Sequence, residues 1–145
     1  MGNTEIVDLR WYGDKAKADV LRAARWGMDS VMADCVTTAK GKVPVKTTIL
    51  QGSIQMRPTV ETGGQLTGYW GSFSVKYARW VEEGTGPHVI LPRIKKALFW
   101  PGADHPVRMV FHPGTKARPY LIPSAEQHYP SLALRIRGQL EWGAK

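Results

Sequence analysis

The chain has 145 residues, 43% apolar and 22% charged, the size and composition of one globular domain that closes its own core. A single cysteine, Cys35, excludes a disulfide framework, no window of 18 apolar residues exists to span a bilayer, and residues 1–13 lack the pattern of a signal peptide, so a soluble intracellular protein without a membrane partner is expected. Twenty Lys and Arg against 12 Asp and Glu leave a net charge of +8, which suits nucleic acid or an acidic protein partner, but the cations are spread along the chain and form no dense run or tail.

Residues 5–11 (EIVDLRW) alternate partially and read as a short strand closed by Gly13. From Asp14 the period changes: Leu21, Ala24, Met28, Val31, Cys35 and Ala39 recur at spacings of three and four, which predicts one long amphipathic helix. Asp14 is the expected N-cap, Gly41 the stop, and Pro44 forbids continuation. Gly27 inside that helix costs up to about 1 kcal/mol relative to Ala, so a close contact or slight bend is expected there. Residues 43–54 lose the helical period and read as a loop entering a strand.

Two extended stretches, 53–60 and 66–75, flank Thr62-Gly63-Gly64 and predict a β-hairpin. Both faces of the second stretch are partly apolar, so cover on two sides is expected. Residues 77–83 (YARWVEE) form one or two helical turns ended by Gly84, and Thr85-Gly86-Pro87 breaks them. A second hairpin is expected from 97–100 and 107–111 around the loop 101–106, protruding as a unit (97–112) from a single domain (1–145). Pro123 occupies an expected first helical position, and Ala125, Tyr129, Leu132, Ile136 and Leu140 form the stripe of a C-terminal helix, with a kink or fresh start imposed by Pro130 near Tyr129. The fold class is therefore α+β: an antiparallel sheet of hairpins packed by one long N-terminal helix and a C-terminal helix.

Residues that could carry chemistry do not converge. The four histidines, His88, His105, His112 and His128, lie 17, 7 and 16 residues apart, with no helical i, i+4 pair; at most a hairpin edge joins His105 and His112. No serine stands in a GxSxG elbow, and Cys35 falls on the buried stripe. Glu82 and Glu83 project about 100° apart on a helix, cannot act as a dyad on one substrate, and read as a solvated helix end. No phosphate-loop pattern is present. A non-enzymatic protein without cofactor or metal is expected. Six tryptophans suit burial in a small core or a subunit interface better than stacking on bases.

Three segments in order resemble a family of small head-to-tail proteins of long-tailed bacteriophages, the tail-completion, neck or tail-component proteins. The first, Val43-Pro44-Val45-Lys46-Thr47-Thr48-Ile49-Leu50-Gln51-Gly52-Ser53-Ile54, is similar to the family's Val-Pro-Val-Asp-Thr-Gly-x-Leu-x-x-Ser-Ile, with Lys46 for Asp and Thr48 for Gly. The second, Tyr77-Ala78-Arg79-Trp80-Val81-Glu82-Glu83-Gly84-Thr85, matches Tyr-Ala-x-x-Val-Glu-x-Gly-Thr and is the most specific. The third, Ala117-Arg118-Pro119-Tyr120-Leu121-Ile122-Pro123-Ser124, resembles Ala-Arg-Pro-Phe-Leu-x-Pro-Ala, with Tyr for Phe and Ser for Ala.

The resemblance implies a structural virion protein of the neck or tail end, made in the host cytoplasm. It implies a homo-oligomeric ring, a hexamer in the first place with a dodecamer as the alternative, that completes the tail or joins head and tail, touches other neck and tail proteins and lets DNA pass with non-specific contact. Candidate subunit or ring–ring contacts are Arg79, Glu82, Glu83, Gly84, Thr85, Trp100, Asp104, His105, Arg118 and Tyr120, with Arg118 expected to pair with Glu82 or Glu83 within a subunit or across an interface. The alternative from another class is a small basic nucleic-acid-binding protein or nuclease.

Overall fold

The computed structural model describes residues 12–45 and 48–143; the strand expected at 5–11 lies outside them. The fold is mixed α+β, in the order α1 (Gly13–Lys42), α2 (Thr48–Ser53), β1 (Ile54–Thr62), β2 (Gln65–Ser72), α3 (Ala78–Glu83), β3 (His88–Ile90), β4 (Val110–His112), α4 (Ile122–His128), a 3-10 turn (Tyr129–Ser131) and α5 (Leu132–Gly143). The hairpins do not share a sheet: β1 pairs with β2 and β3 with β4, both antiparallel.

The spine is α1, on which β1, β2, α4 and α5 all pack. Its buried face is Ala23, Gly27, Val31, Met32, Cys35 and Ala39: the expected stripe holds at Val31, Cys35 and Ala39, whereas Leu21, Ala24 and Met28 are only half-buried and the face there shifts to Ala23 and Gly27. Small residues let partners approach closely. A Cβ at Gly27 would lie 2.7 Å from Ile136 Cγ1 of α5, so the expected close contact is there. Asp14 is not the N-cap: Tyr12 holds that position without a side-chain bond, and Asp14 sits in the first turn, where its charge favours the helix dipole. At the other end Val43 N–H donates to the Ala39 carbonyl (2.9 Å) before Pro44 stops the helix.

Polar bonds fix α4 and α5 on this spine. Arg135 of α5 donates to Ser30 and, at 2.5 Å, to the Asp34 carboxylate. Thr38 Oγ1 lies 2.7 Å from His128 Nε2, and the Cys35 thiol points at the Ser124 carbonyl (3.6 Å). Pro130 divides the C-terminal helix as expected, with the 3-10 turn between α4 and α5.

Between α1 and the first hairpin the sequence predicts an extended entry, but residues 48–53 form a helical turn. Tertiary contact overrides the weak helix propensity of Thr48 and Ile49. The turn buries Leu50 and Ser53 on the core side, while Gln51 Nε2 donates to the Lys40 carbonyl near the end of α1 (2.9 Å). The hairpin itself runs in the register Ile54↔Ser72 to Thr62↔Gln65. Its two-residue turn needs positive φ twice, and Gly63 (61°) and Gly64 (83°) supply it. Pro58 has no N–H for the ladder, and the register shifts between Arg57 and Val60. β2 is covered by α1 on one face: a Cβ at Gly68 would meet Met32 at 2.7 Å, whereas Tyr69 and Phe73 stay exposed, so the expected cover on both faces is absent among the described residues.

Candidate assembly surface

The second and third sequence motifs meet at a lock between α3 and the start of α4. On α3, Ala78 and Glu82 are four residues apart and both face inward, where Ala78 joins the core. Glu82 is thereby carried under the segment 120–122, which otherwise leaves its backbone donors unpaired because Leu121 caps α4 without a side-chain bond. One carboxylate oxygen accepts the N–H groups of Tyr120 (2.7 Å) and Leu121 (2.9 Å), and the other accepts that of Ile122 (2.9 Å). The bond is reciprocated: Arg118 N–H donates to the Val81 carbonyl near the end of α3 (2.9 Å).

This changes the reading of several expected contact residues. Glu82 is buried and capped by its own chain, not a solvated helix end. Tyr120 has no exposed surface; it sits among Ala39, Val43, Leu50, Ile54 and Ala78. Burial, then Glu82 and Tyr77, pushes its phenol up to about 12, and its hydroxyl has no hydrogen-bond partner. Glu83 faces solvent and pairs with Arg79 (2.8 Å), whose guanidinium is pushed up by that bond. Within the chain Arg118 forms no ion pair with Glu82 or Glu83: the two carboxylates already bind backbone N–H groups and Arg79 respectively.

Beyond the lock an arm, residues 88–112, leaves the body. Its base is closed by an antiparallel bridge between Thr85 and Thr115, with both N–H···O distances at 3.0 Å and the two hydroxyls 2.6 Å apart. Gly84 (φ 75°) turns the chain out of α3, and a Cβ there would strike the Thr115 carbonyl at 2.6 Å. Next, β3 and β4 pair through His88↔His112, Val89↔Phe111 and Ile90↔Val110, and the two imidazoles stack at 5.1 Å. The hairpin expected from 97–100 and 107–111 is thus displaced. Of that pairing only the Leu98↔Val107 bridge forms, because the bridge at Thr85 brings 88–90 alongside 110–112. His112 accordingly meets His88, and His105 lies in the exposed loop with Asp104.

The arm is anchored weakly and covered poorly. β3 and β4 pack substantially only on each other. Leu91, Ile94, Phe99, Trp100, Met109 and Phe111 are exposed, Ile94 almost fully (98%). On the body, a cleft of about 410 Å³ opens between α2, α3 and the strand of chain before α4, floored by Pro44, Leu50, Tyr77, Trp80 and Val81 and rimmed by Thr115, Lys116 and Arg118. Sequence reasoning did not single out this cleft. A signal exists in the spacing of α3, where Ala78 and Glu82 take the inner face and leave Tyr77 and Trp80 outside.

Among the described residues no group of three or more His, Cys, Asp or Glu side chains is placed to hold a metal ion, and no helix is long and apolar enough to cross a membrane. No family model, no curated protein and no solved structure matches this chain.

Proposed function

We propose that this protein is a structural virion subunit of the bacteriophage neck or tail end, working by assembly into a homo-oligomeric ring between head-side and tail-side components. One observation carries the reading: the three segments that resemble the tail-completion family pack into a single cluster. Val43, Leu50 and Ile54 come from the first, Ala78 from the second and Tyr120 from the third. The most specific segment is tied to the third by Glu82. Segments remote in sequence that share one core constrain each other, which is what a common fold demands and a chance match of short motifs does not.

The exposed apolar arm is consistent with a subunit completed by neighbours, since a soluble monomer seldom shows a contiguous apolar patch beyond about 300–600 Å². A ring needs one patch of each copy to meet a different patch of the next.

Light scattering of the purified protein over a range of concentration and salt, with electron micrographs of any large species, tests the proposal. A closed ring of defined mass is expected. A monomer that stays monomeric and holds duplex DNA with an affinity falling steeply with salt would replace it with the nucleic-acid-binding reading that the +8 charge permits.

A further inference from the structure

The arm and the cleft are two unsatisfied surfaces of one subunit. No residue of 88–112 lines the cleft. A two-stranded ribbon with three paired positions is at best marginally stable alone, so an arm whose strands pack substantially only on each other gains from cover. Phe99 and Phe111 are each 66% exposed and Trp100 46%. With about 150–250 Å² per aromatic side chain, these three alone leave several hundred Å² bare. Leu91, Ile94 and Met109 add to this uncovered apolar surface, which is divided between the two faces of the ribbon: Phe111 opposite Val89 on one, Phe99 and Trp100 with Ile90 and Val110 on the other.

Charge selects the partner. Asp104 is the lone carboxylate of residues 88–112 and sits at the exposed loop beside Trp100. Lys116 and Arg118, both exposed, rim the apolar cleft. Among the described residues none of these three charges has an ion-pair partner within the subunit. The arm as a whole is basic, with Arg93, Lys95, Lys96 and Arg108 against Asp104, so the complementarity is local: the corner at Asp104 is the one anionic point of the arm, and the cleft, on a different part of the same chain, is rimmed by two cations.

We infer that the arm of one copy docks on the cleft of the next, with Trp100 and Pro101 against the floor of Leu50, Tyr77 and Trp80, and Asp104 paired with Arg118. The inference rests on the ring reading above and names its contact. Such a contact is heterologous, so it propagates head to tail and closes when the rotation per copy allows. The arm cations Arg93, Lys95, Lys96 and Arg108 are exposed in the single chain, and the docking places them at the polar rim of the contact.

The test is charge exchange in the full chain, read by light scattering. Asp104→Arg and Arg118→Asp each reverse an exposed charge and are each expected to weaken association by about tenfold or more. The double variant is expected to restore it, with thermal melts unchanged throughout. A second variant pair is independent of charge. Asp104→Cys mixed with Arg118→Cys is expected to yield oxidised dimers that neither gives alone, Cys35 being buried. Rings of full mass in both single variants overturn the docking and leave the ring reading standing. Failure of the double variant to rescue overturns the docking as well. Full-mass rings whose arm variants lose duplex-DNA retention assign the arm to nucleic acid instead. A wild-type protein monomeric at every concentration overturns both proposals.

Discussion

Glu82 reaches from α3 to the backbone of Tyr120, its carboxylate 2.7 Å from the amide nitrogen, and with the Leu121 and Ile122 amides it serves as the N-terminal cap that α4 lacks in its own sequence. Three donors on one buried carboxylate make it the polar hinge of the fold: each N–H would otherwise be desolvated without a partner.

Replacing Glu82 by Gln removes the charge and turns an amide group toward backbone donors. We expect a loss of about 2–4 kcal/mol in urea unfolding. Glu83→Gln, which breaks only the exposed pair with Arg79, should change stability by no more than about 0.5 kcal/mol. Equal effects of the two substitutions would contradict the assignment of the cap to Glu82.

Tyr120 contributes a ring to the core but a hydroxyl to nothing. Tyr120→Phe is expected to be neutral or to stabilise, by up to about 1 kcal/mol at neutral pH. The phenol titrates at about 12 in the folded protein against about 10 when unfolded. The folded state therefore holds this proton more tightly, and its share of stability, complete below pH 10, falls as pH rises from about 10 to 12. Stability curves of wild type and Tyr120→Phe across that window should diverge, with the wild type losing more.

Glycine has opposite meanings in the two packed helices. At Gly27 a methyl group gains up to about 1 kcal/mol of helix propensity but meets Ile136 Cγ1 at 2.7 Å, a clash costing about 1–3 kcal/mol. Gly27→Ala should destabilise, and it should cost less in a chain that also carries Ile136→Ala, which removes the clashing Cγ1, than it does alone. Gly138 of α5 has open space at its Cβ position, so Gly138→Ala should raise the melting temperature.

Cys35 lies wholly inside, and burial, with Asp34 adding to it, raises its thiol above the ordinary range while Arg135 opposes. A thiol that is both inaccessible and protonated reacts slowly. Labelling with an aromatic disulfide reagent should be negligible in buffer and stoichiometric in denaturant; fast labelling of the native protein would show that the α1–α4 contact opens readily.

What could be read from the sequence is what local rules encode. The period of three and four residues made α1 a helix and picked Val31, Cys35 and Ala39 of its buried face, while the close approach of α5 at Gly27 turned the first half of that face toward Ala23 and Gly27. Two adjacent glycines specified a tight hairpin turn, and Pro130 interrupted the C-terminal helix, each through its own backbone geometry. The mixed α+β class followed from these signals alone. Tertiary structure decided the rest. Glu82 and Glu83 are the same residue type in adjacent positions, and only the placement of α3 under residues 120–122 makes one a buried cap and leaves the other in solvent. Thr48 and Ile49 favour extended chain, yet burial of Leu50 winds them into α2. The strands of the arm moved outward because the Thr85–Thr115 bridge sets their register, and a pairing across 30 residues leaves no mark in a local pattern. The cleft beside Arg118 is of the same kind: it exists only where three segments, far apart in the chain, fail to fill the space between them.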